Sequence, residues 1–229
     1  QDYPEFAFKI ARKYDDDGVK LFYNDYGTVD KTKRKYIYNL CKKKKKKGLI
    51  DGIGMQSYWD MKNPKLEDIK EAIVQAKEKS DIVVVSGGSS KGKKDMTALL
   101  IDELTTPGVF THGLALKPGK PTILGVDESE KTLMVGLPGH PVAAMAVFEM
   151  LLVWLKRELT SEPEKGKVPA VLSGNVPGAP GRQTLLFVEL EQTEDGYLAK
   201  PIFGKSGLMS TMTRADGYTA IEMLQEGLK

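Results

Sequence analysis

Three glycine-bearing loops contain the residue types that bind phosphate. The first, Ser86-Gly-Gly-Ser-Ser-Lys-Gly92, follows a run of apolar residues and leads into a helical pattern. Glycines leave the backbone N–H groups of such a loop open to an anion, and the start of a helix attracts negative charge. The sequence therefore predicts a phosphate-binding loop. Its predicted contacts are Ser86, Gly87, Gly88, Ser89, Ser90 and Gly92.

The other two loops add positive charge and a second helix start. Two lysines flank Pro118-Gly119 and supply point charges, and Gly136-Leu-Pro-Gly-His-Pro141 is a turn at the start of a predicted helix. A tight strand-to-helix turn also explains each loop alone, but three together favour a binding site. The predicted contacts in these two loops are Lys117, Lys120, Gly136, Pro138 and Gly139.

The sequence assigns no catalytic residue. Asp95 is the only carboxylate between Ser86 and Thr97, and it is the candidate ligand for Mg²⁺ beside a phosphate. His140 opens a helix, where the dipole disfavours a cation, so a neutral turn residue is favoured over a catalytic base. His112 is expected to be structural.

The segments that would position these loops alternate between helix and strand. Apolar residues recur at helical spacing in several segments, and short apolar runs separate them. The predicted helices are residues 6–14, 32–47, 64–79, 95–104 and 141–159, and the predicted strands are residues 20–24, 50–56, 81–85, 122–126 and 132–135. Such alternation favours parallel pairing through right-handed crossovers. For residues 1–160 we predict a three-layer α/β/α domain with a mostly parallel sheet.

The pattern changes after residues 160–167, a polar segment that contains Pro163 and Gly166. Short strands are then predicted at residues 184–191, 197–202 and 218–223. We therefore place a domain boundary in residues 160–167 and predict a small, barrel-like β domain over residues 168–229.

Composition excludes several classes of protein. The chain has 229 residues, of which 41% are hydrophobic and 28% charged, as in ordinary globular proteins. The apolar runs are shorter than the roughly 20 residues that a membrane helix needs. One cysteine, Cys41, cannot form an intramolecular disulfide, which indicates a reducing cytoplasm. The chain begins at Gln1 without Met or a leader pattern, so we expect an excised fragment.

The run Lys42 to Lys47 is the main local excess of charge, because the net charge of the whole chain is only +3. The favoured interpretation is a solvated helix end, where cations offset the helix dipole. Contact with nucleic acid or an acidic surface is the less favoured alternative. Lys44 falls on the buried stripe of Ile37 and Cys41, so its ammonium is expected to snorkel into water.

Residues 1–73 resemble the family-ten glycoside hydrolases, which are TIM-barrel xylanases. The resemblance rests on Lys20-Leu-Phe-Tyr-Asn-Asp-Tyr26 and Ile50-Asp-Gly-Ile-Gly-Met-Gln-Ser-Tyr-Trp59. These enzymes need two glutamates on strands that lie outside this segment, so xylanase activity is not expected. The resemblance puts Asn24, Gln56 and Trp59 at sugar-binding strand ends, but without the opposing wall of a barrel.

Residues 74–229 resemble another family, the MoeA-type molybdopterin molybdotransferases, which are related to the E domain of gephyrin. The matching motifs are residues 80–97, 112–121 and 136–142, together with Gly204-Lys-Ser-Gly-Leu-Met-Ser210 and Arg214-Ala-Asp-Gly-Tyr218 in the β domain. The resemblance implies a phosphate-bearing, adenylylated pterin ligand, insertion of molybdate with Mg²⁺, and a homodimer. A last strand of that family is expected beyond Lys229.

The two resemblances meet inside the predicted helix at residues 64–79. The xylanase-like part stands where the MoeA-type family carries a Thr-Gly-Asp-Glu-type strand end, and Asn24-Asp25-Tyr26-Gly27-Thr28 does not reproduce that order. We therefore favour a recombined or engineered chimera without full catalysis. The alternative is a molybdopterin-binding protein that inserts molybdate into adenylylated molybdopterin. In either case no membrane partner is expected, and nucleic acid is not a favoured partner.

Overall fold

The computed structural model describes residues 2–14, 20–56, 64–86, 96–161, 163, 166–204 and 210–229. The chain divides into two units, residues 1–79 and residues 80–229, and each is described by itself. None of the helices in these described ranges combines the length and the apolar character needed to cross a membrane.

The first unit contains two consecutive strand–helix pairs preceded by a helix. Its elements are α1 (Tyr3–Lys13), β1 (Phe22–Tyr26), α2 (Lys31–Lys46), β2 (Gly52–Gln56) and α3 (Leu66–Lys77). The two strands pair in parallel, with Phe22 opposite Gly52 and Tyr26 opposite Gln56. All five elements were predicted from the sequence, with bounds that differ by a few residues.

Local chemistry explains the bounds of α2. The Asp30 carboxylate accepts a hydrogen bond of 2.7 Å from the backbone N–H of Lys33, which caps the start of the helix. Gly48 follows its end with φ +69°, a conformation that suits glycine. The buried side of α2, Ile37 and Cys41, packs in one cluster with Leu49 and Ile50.

Lys44 does not reach water as the sequence predicted. Only 4% of the residue is exposed, because its ammonium forms ion pairs with Asp2 and Glu5 at the start of α1. Glu5 also pairs with Lys47 at 2.8 Å. The snorkelling prediction was wrong because it treated α2 alone, whereas α1 brings two carboxylates to the buried end of the lysine.

The second unit begins with a four-stranded sheet and its helices. The elements are β3 (Ile82–Ser86), α4 (Met96–Leu104), β4 (Pro107–His112), β5 (Leu116–Lys117), β6 (Ile123–Asp127), β7 (Thr132–Leu137), α5 (Pro141–Val147), a π-helical stretch (Phe148–Val153) and α6 (Trp154–Thr160). The sheet order is β3-β7-β6-β4. On one face α4 packs against the sheet, and on the other α5 joins the core of Val135 and Leu137. The predicted α/β fold class is confirmed.

The pairing within this sheet is mixed. Strands β3 and β7 are parallel, whereas β6 is antiparallel to both β7 and β4. A turn of four residues, 128–131, joins β6 to β7, and such a short connection permits only antiparallel pairing. The described strands of residues 1–160 do not form the single sheet that was predicted, because β1 and β2 pair with each other alone.

The remaining residues form the predicted C-terminal β domain. Its elements are β8 (Val171–Leu172), β9 (Val176–Pro177), β10 (Gln183–Thr193), β11 (Gly196–Pro201), α7 (Ser210–Thr213), β12 (Gly217–Ile221) and β13 (Gly227–Leu228). The long strand β10 pairs with β11, β12 and β5. Leu185 and Phe187 of β10 share a core cluster with Leu137 and Val147. Residues 80–160 and 168–229 are therefore joined by one core as well as by the chain.

Candidate functional site

The register of the sheet brings the described parts of all three predicted loops to one edge. Ser86, the last residue of β3, lies opposite Leu137 at the end of β7. Gly136 lies opposite Ile123, the first residue of β6, because these two strands are antiparallel. The loop after β3 and the turn after β7 therefore begin beside the point at which the loop before β6 ends.

Ser86 is the one residue of the first predicted loop that the structure describes, and it is exposed. The predicted contacts Gly87, Gly88, Ser89, Ser90 and Gly92 and the predicted Mg²⁺ ligand Asp95 lie outside the described residues. Within the described ranges, no group of three His, Cys, Asp or Glu side chains is arranged to hold a metal ion.

The turn after β7 starts a helical segment. Pro138 is fully buried, whereas Gly139 and His140 are exposed. His140 is the N-cap residue of α5, and its carbonyl accepts a hydrogen bond of 2.9 Å from Ala144. Its side chain makes no capping hydrogen bond. Pro141 has no N–H group, so the backbone donors of this turn that lack a partner within the helix are those of Val142 and Ala143.

Gly136 has a packing role that explains it without a ligand. It is buried within β7, and a Cβ atom there would lie 2.9 Å from Cγ2 of Thr97 and 3.2 Å from Cβ of Ile123. Glycine therefore lets α4 approach the sheet closely. Pro138 is also buried, so packing explains its presence without a ligand as well. Gly139 is therefore the one predicted contact of this turn that is exposed.

The loop before β6 is held by backbone hydrogen bonds. The carbonyl of Lys120 accepts hydrogen bonds of 2.9 Å from the N–H groups of Leu114 and Thr122. Gly119 has φ +132°, and a Cβ atom there would lie 2.7 Å from Cγ2 of Val147. Lys117 and Lys120 are both exposed. The backbone is thus fixed against α5, while the two ammonium groups remain in solvent.

His112 ends β4 opposite Ile123, so both histidines of the chain lie at this edge of the sheet. His112 is exposed, as is His140. The sequence placed His112 in a structural role, and the register adds its position beside the loop before β6. The spacing of residues along the sequence does not indicate that the ends of β4 and β7 lie at the same edge, so only the sheet topology shows that the two histidines do.

A shallow apolar depression lies beside the same loop, and the sequence did not indicate it. Its volume is about 240 Å³. The residues around it are Leu114, Ala115, Leu116, Val147, Met150, Leu151 and Gln183. None of these side chains titrates, so the depression offers apolar contact and no acid–base chemistry.

The first unit has polar side chains at the end of β1. Asp25 accepts hydrogen bonds from the Tyr23 hydroxyl at 3.1 Å and the Tyr26 N–H at 2.7 Å, and it pairs with Lys33 at 2.9 Å. The ammonium of Lys33 also lies 3.6 Å from the centre of the Tyr26 ring.

These contacts shift two pKa values in opposite directions. The hydrogen bond from Lys33 lowers the pKa of Asp25, whereas burial and the neighbouring Asp25 carboxylate raise the pKa of Tyr23 to about 12. Both groups stay in one protonation state near neutral pH, which suits a structural cluster. Asn24 is exposed above Gly54, Gln56 ends β2, and Trp59 lies outside the described residues.

Comparison with family models separates the chain into segments. Residues 1–86 match the model described as glycosyl hydrolase family 10. Residues 59–157 match a probable molybdopterin binding domain, and residues 169–229 match the MoeA C-terminal region. The first two matches overlap at residues 59–86, which include the predicted junction at residues 64–79.

Individual proteins show the same division. Endo-1,4-beta-xylanase A of Thermotoga maritima is 56% identical over 72 residues, which are 31% of this chain and 7% of that protein. A putative molybdopterin biosynthesis protein of Methanocaldococcus jannaschii is 29% identical over 182 residues, which are 79% of this chain and 42% of that protein.

A solved structure is also similar. The molybdopterin biosynthesis MoeA protein of Pyrococcus horikoshii is 35% identical, with a TM-score of 0.58, over 83% of this chain and 45% of that one. This chain thus spans less than half the length of each of these relatives. Both predicted resemblances are confirmed.

Proposed function

We propose that this chain binds a ligand without carrying out full catalysis. The proposal starts from its composition, in which a segment similar to glycosyl hydrolase family 10 is joined to segments similar to MoeA-type proteins. The ligand is a phosphate-bearing pterin, molybdopterin or its adenylylated form. The observation that supports this proposal is the register that puts Ser86 beside Leu137 and Gly136 beside Ile123. Three loops for which the sequence predicts anion binding join the sheet at this one edge.

In this proposal the described residues have three roles: they donate hydrogen bonds, supply positive charge, or hold the backbone in place. The first turn of the helical segment at residue 141 presents N–H donors to a phosphate, and Lys117 and Lys120 add positive charge from a rigid loop. Gly136 and Pro138 hold the edge in place through packing. Molybdate insertion is the chemistry of the proposed family, and no described side chain at this edge is a carboxylate that would assist it.

The role of Mg²⁺ in this proposal rests on the predicted ligand Asp95. The described residues offer no carboxylate group for the ion at this edge, and Asp95 remains the predicted ligand. If Asp95 holds Mg²⁺, the difference between the binding heats measured with and without Mg²⁺ should disappear in Asp95→Asn. An unchanged difference would remove Asp95 from the site.

Calorimetric titration with molybdopterin and with its adenylylated form tests the proposed binding. Lys120→Gln should weaken binding about tenfold, which corresponds to about 1.4 kcal/mol for one lost charge contact. Lys131→Gln is the matched control, because Lys131 is also exposed but follows β6 at the opposite edge of the sheet. Equal affinities for the two variants, or no heat from a cooperatively folded sample, would contradict the proposal.

The alternative function is complete molybdate insertion. The matches over residues 59–157 and 169–229 favour it, since they cover two successive parts of a MoeA-type protein. Incubation with adenylylated molybdopterin and molybdate, followed by removal of free molybdate, distinguishes the two. Molybdenum retained with the pterin in stoichiometric amount would establish the alternative. For either function we propose a cytoplasmic setting, since the single cysteine, Cys41, is free and buried.

A further inference from the structure

Six of the nine exposed residues of helix α2 are lysines. The helix contains no acidic residue between Lys31 and Lys46. Its exposed lysines are Lys31, Lys35, Lys42, Lys43, Lys45 and Lys46. Cationic side chains thus cover the solvent side of a helix about 24 Å long.

Ion pairing divides the lysines of α2 into two groups. Lys31 pairs with Glu71 at 2.8 Å, Lys33 pairs with Asp25, and Lys44 pairs with Asp2 and Glu5. The other exposed lysines, Lys35, Lys42, Lys43, Lys45 and Lys46, have no acidic partner within the described ranges. Among the described residues, the carboxylates near α2 therefore pair with lysines on one side of the helix, and the lysines on its other side have no compensating carboxylate.

The uncompensated lysines form one surface. Residues 35, 42 and 46 differ by seven and four positions, so they lie along one line of the helix, with Lys43 and Lys45 on either side of it. The ends of this line are about 16 Å apart at 1.5 Å per residue. Thr32, Tyr36 and Asn39 are also exposed on this side of α2. We call this surface the basic face.

The charge of the chain is unevenly distributed as well. Residues 1–79 contain 19 Lys or Arg and 13 Asp or Glu, a net charge of +6, whereas residues 80–229 contain 15 and 18, a net charge of −3. The overall charge of +3 therefore conceals a strongly basic first unit. The basic face is the main exposed part of that excess.

We propose that the basic face binds the phosphate backbone of nucleic acid. Duplex DNA carries about one charge per 1.7 Å of its axis, and a line of lysines on a rigid helix can neutralise several adjacent phosphates. A membrane fits less well, because interfacial helices insert an apolar face, and that of α2 is buried around Ile37 and Cys41. An acidic protein fits less well, because protein interfaces have an apolar centre, whereas the centre of the basic face is a line of lysines and its one large exposed aromatic side chain, Tyr36, lies to the side of that line.

Fluorescence anisotropy with a labelled 20-base-pair DNA duplex, titrated at several salt concentrations, tests this proposal. Five lysine contacts predict a slope of log K against log salt of about −4.5, or a loss of about 500-fold in affinity between 50 and 200 mM salt. Lys42→Gln, Lys43→Gln and Lys46→Gln combined should reduce the size of the slope by about 2 to 3. These side chains are exposed, and circular dichroism checks that the variant folds.

The matched control combines Lys65→Gln, Lys131→Gln and Lys229→Gln, which remove the same charge from exposed positions outside α2. This control should bind DNA as the unchanged chain does. If both triple variants bind DNA equally weakly, binding depends on net charge alone, and the proposal is overturned. Binding to vesicles that contain phosphatidylserine, without binding to the duplex, would overturn it in favour of a membrane.

Discussion

At the scale of single residues, buried polar groups decide stability through their partners. Lys44 is nearly inaccessible and yet charged, because the carboxylates of Asp2 and Glu5 meet its ammonium. Arg34 is equally buried and donates hydrogen bonds to Glu71 at 3.0 Å and to Gln75 at 2.9 Å. These pairs tie α1 and α3 to α2 by contacts that sequence patterns do not reveal.

The pairing of Glu5 predicts a dependence of stability on pH. Hydrogen bonds from Lys47, Lys9 and Lys44 lower the pKa of Glu5 from 4.5 to about 2. Because the folded pKa lies below the unfolded one, Glu5 stabilises the fold above pH 4.5 and loses this contribution as the pH falls towards 2. Urea unfolding between pH 2 and pH 7 measures this effect. In Glu5→Gln the decline between pH 4.5 and 2 should be shallower, and an identical decline would contradict the pairing.

Thr184 predicts a stabilising substitution. Its hydroxyl is buried and has no hydrogen-bond partner among the described residues. Thr184→Val keeps the shape and removes the polar atom, so we expect the free energy of unfolding to rise by about 1 kcal/mol. Thr122→Val is the control, because the Thr122 hydroxyl donates a hydrogen bond of 2.7 Å to the Gly119 carbonyl and its loss should destabilise by about 1 kcal/mol. Chemical denaturation measures both changes, and a destabilised Thr184→Val would show a hidden partner.

At the scale of the elements, spacing predicted most helices and strands, but not their pairing. The five elements of the first unit and the strands β3, β6 and β7 follow the predicted segments closely. Strand β4 was missed, since Pro107 and Gly108 interrupt its pattern. The predicted helix at 141–159 is continuous but contains a π-helical stretch, which no period in the sequence indicates.

Close packing between α4 and β7 gives a prediction at this scale. Gly136→Ala places a Cβ atom 2.9 Å from Cγ2 of Thr97, so the helix must shift and the free energy of unfolding should fall by about 1 to 3 kcal/mol. Gly217→Ala in β12 is the matched control, because no atom lies within 4 Å of its new Cβ. Thermal or urea unfolding compares the two. If Gly136→Ala is as stable as the control but loses pterin binding, Gly136 contacts the ligand after all.

At the scale of the whole molecule, uncovered apolar surface predicts self-association. The helical segment 141–160 exposes Met145, Phe148, Trp154 and Leu159, the last of them by 74%. Where such side chains form a contiguous patch, they mark an interaction surface. We expect a homodimer, which light scattering after size-exclusion chromatography would detect at micromolar concentration. Leu159→Lys should favour the monomer, and a clean monomer of the unchanged chain would contradict the prediction.

The sequence by itself determined the types of element and the two resemblances, and it predicted the anion-binding loops, because all of these depend on residues that are close along the chain. The tertiary structure decided which residues meet. It placed the three loop positions at one edge, gave Gly136 a role in packing, and divided the lysines of α2 into buried pairs and an exposed face. Those outcomes depend on strand register and on carboxylates more than 35 positions away, such as Glu5 beside Lys44, and local patterns carry no information about either.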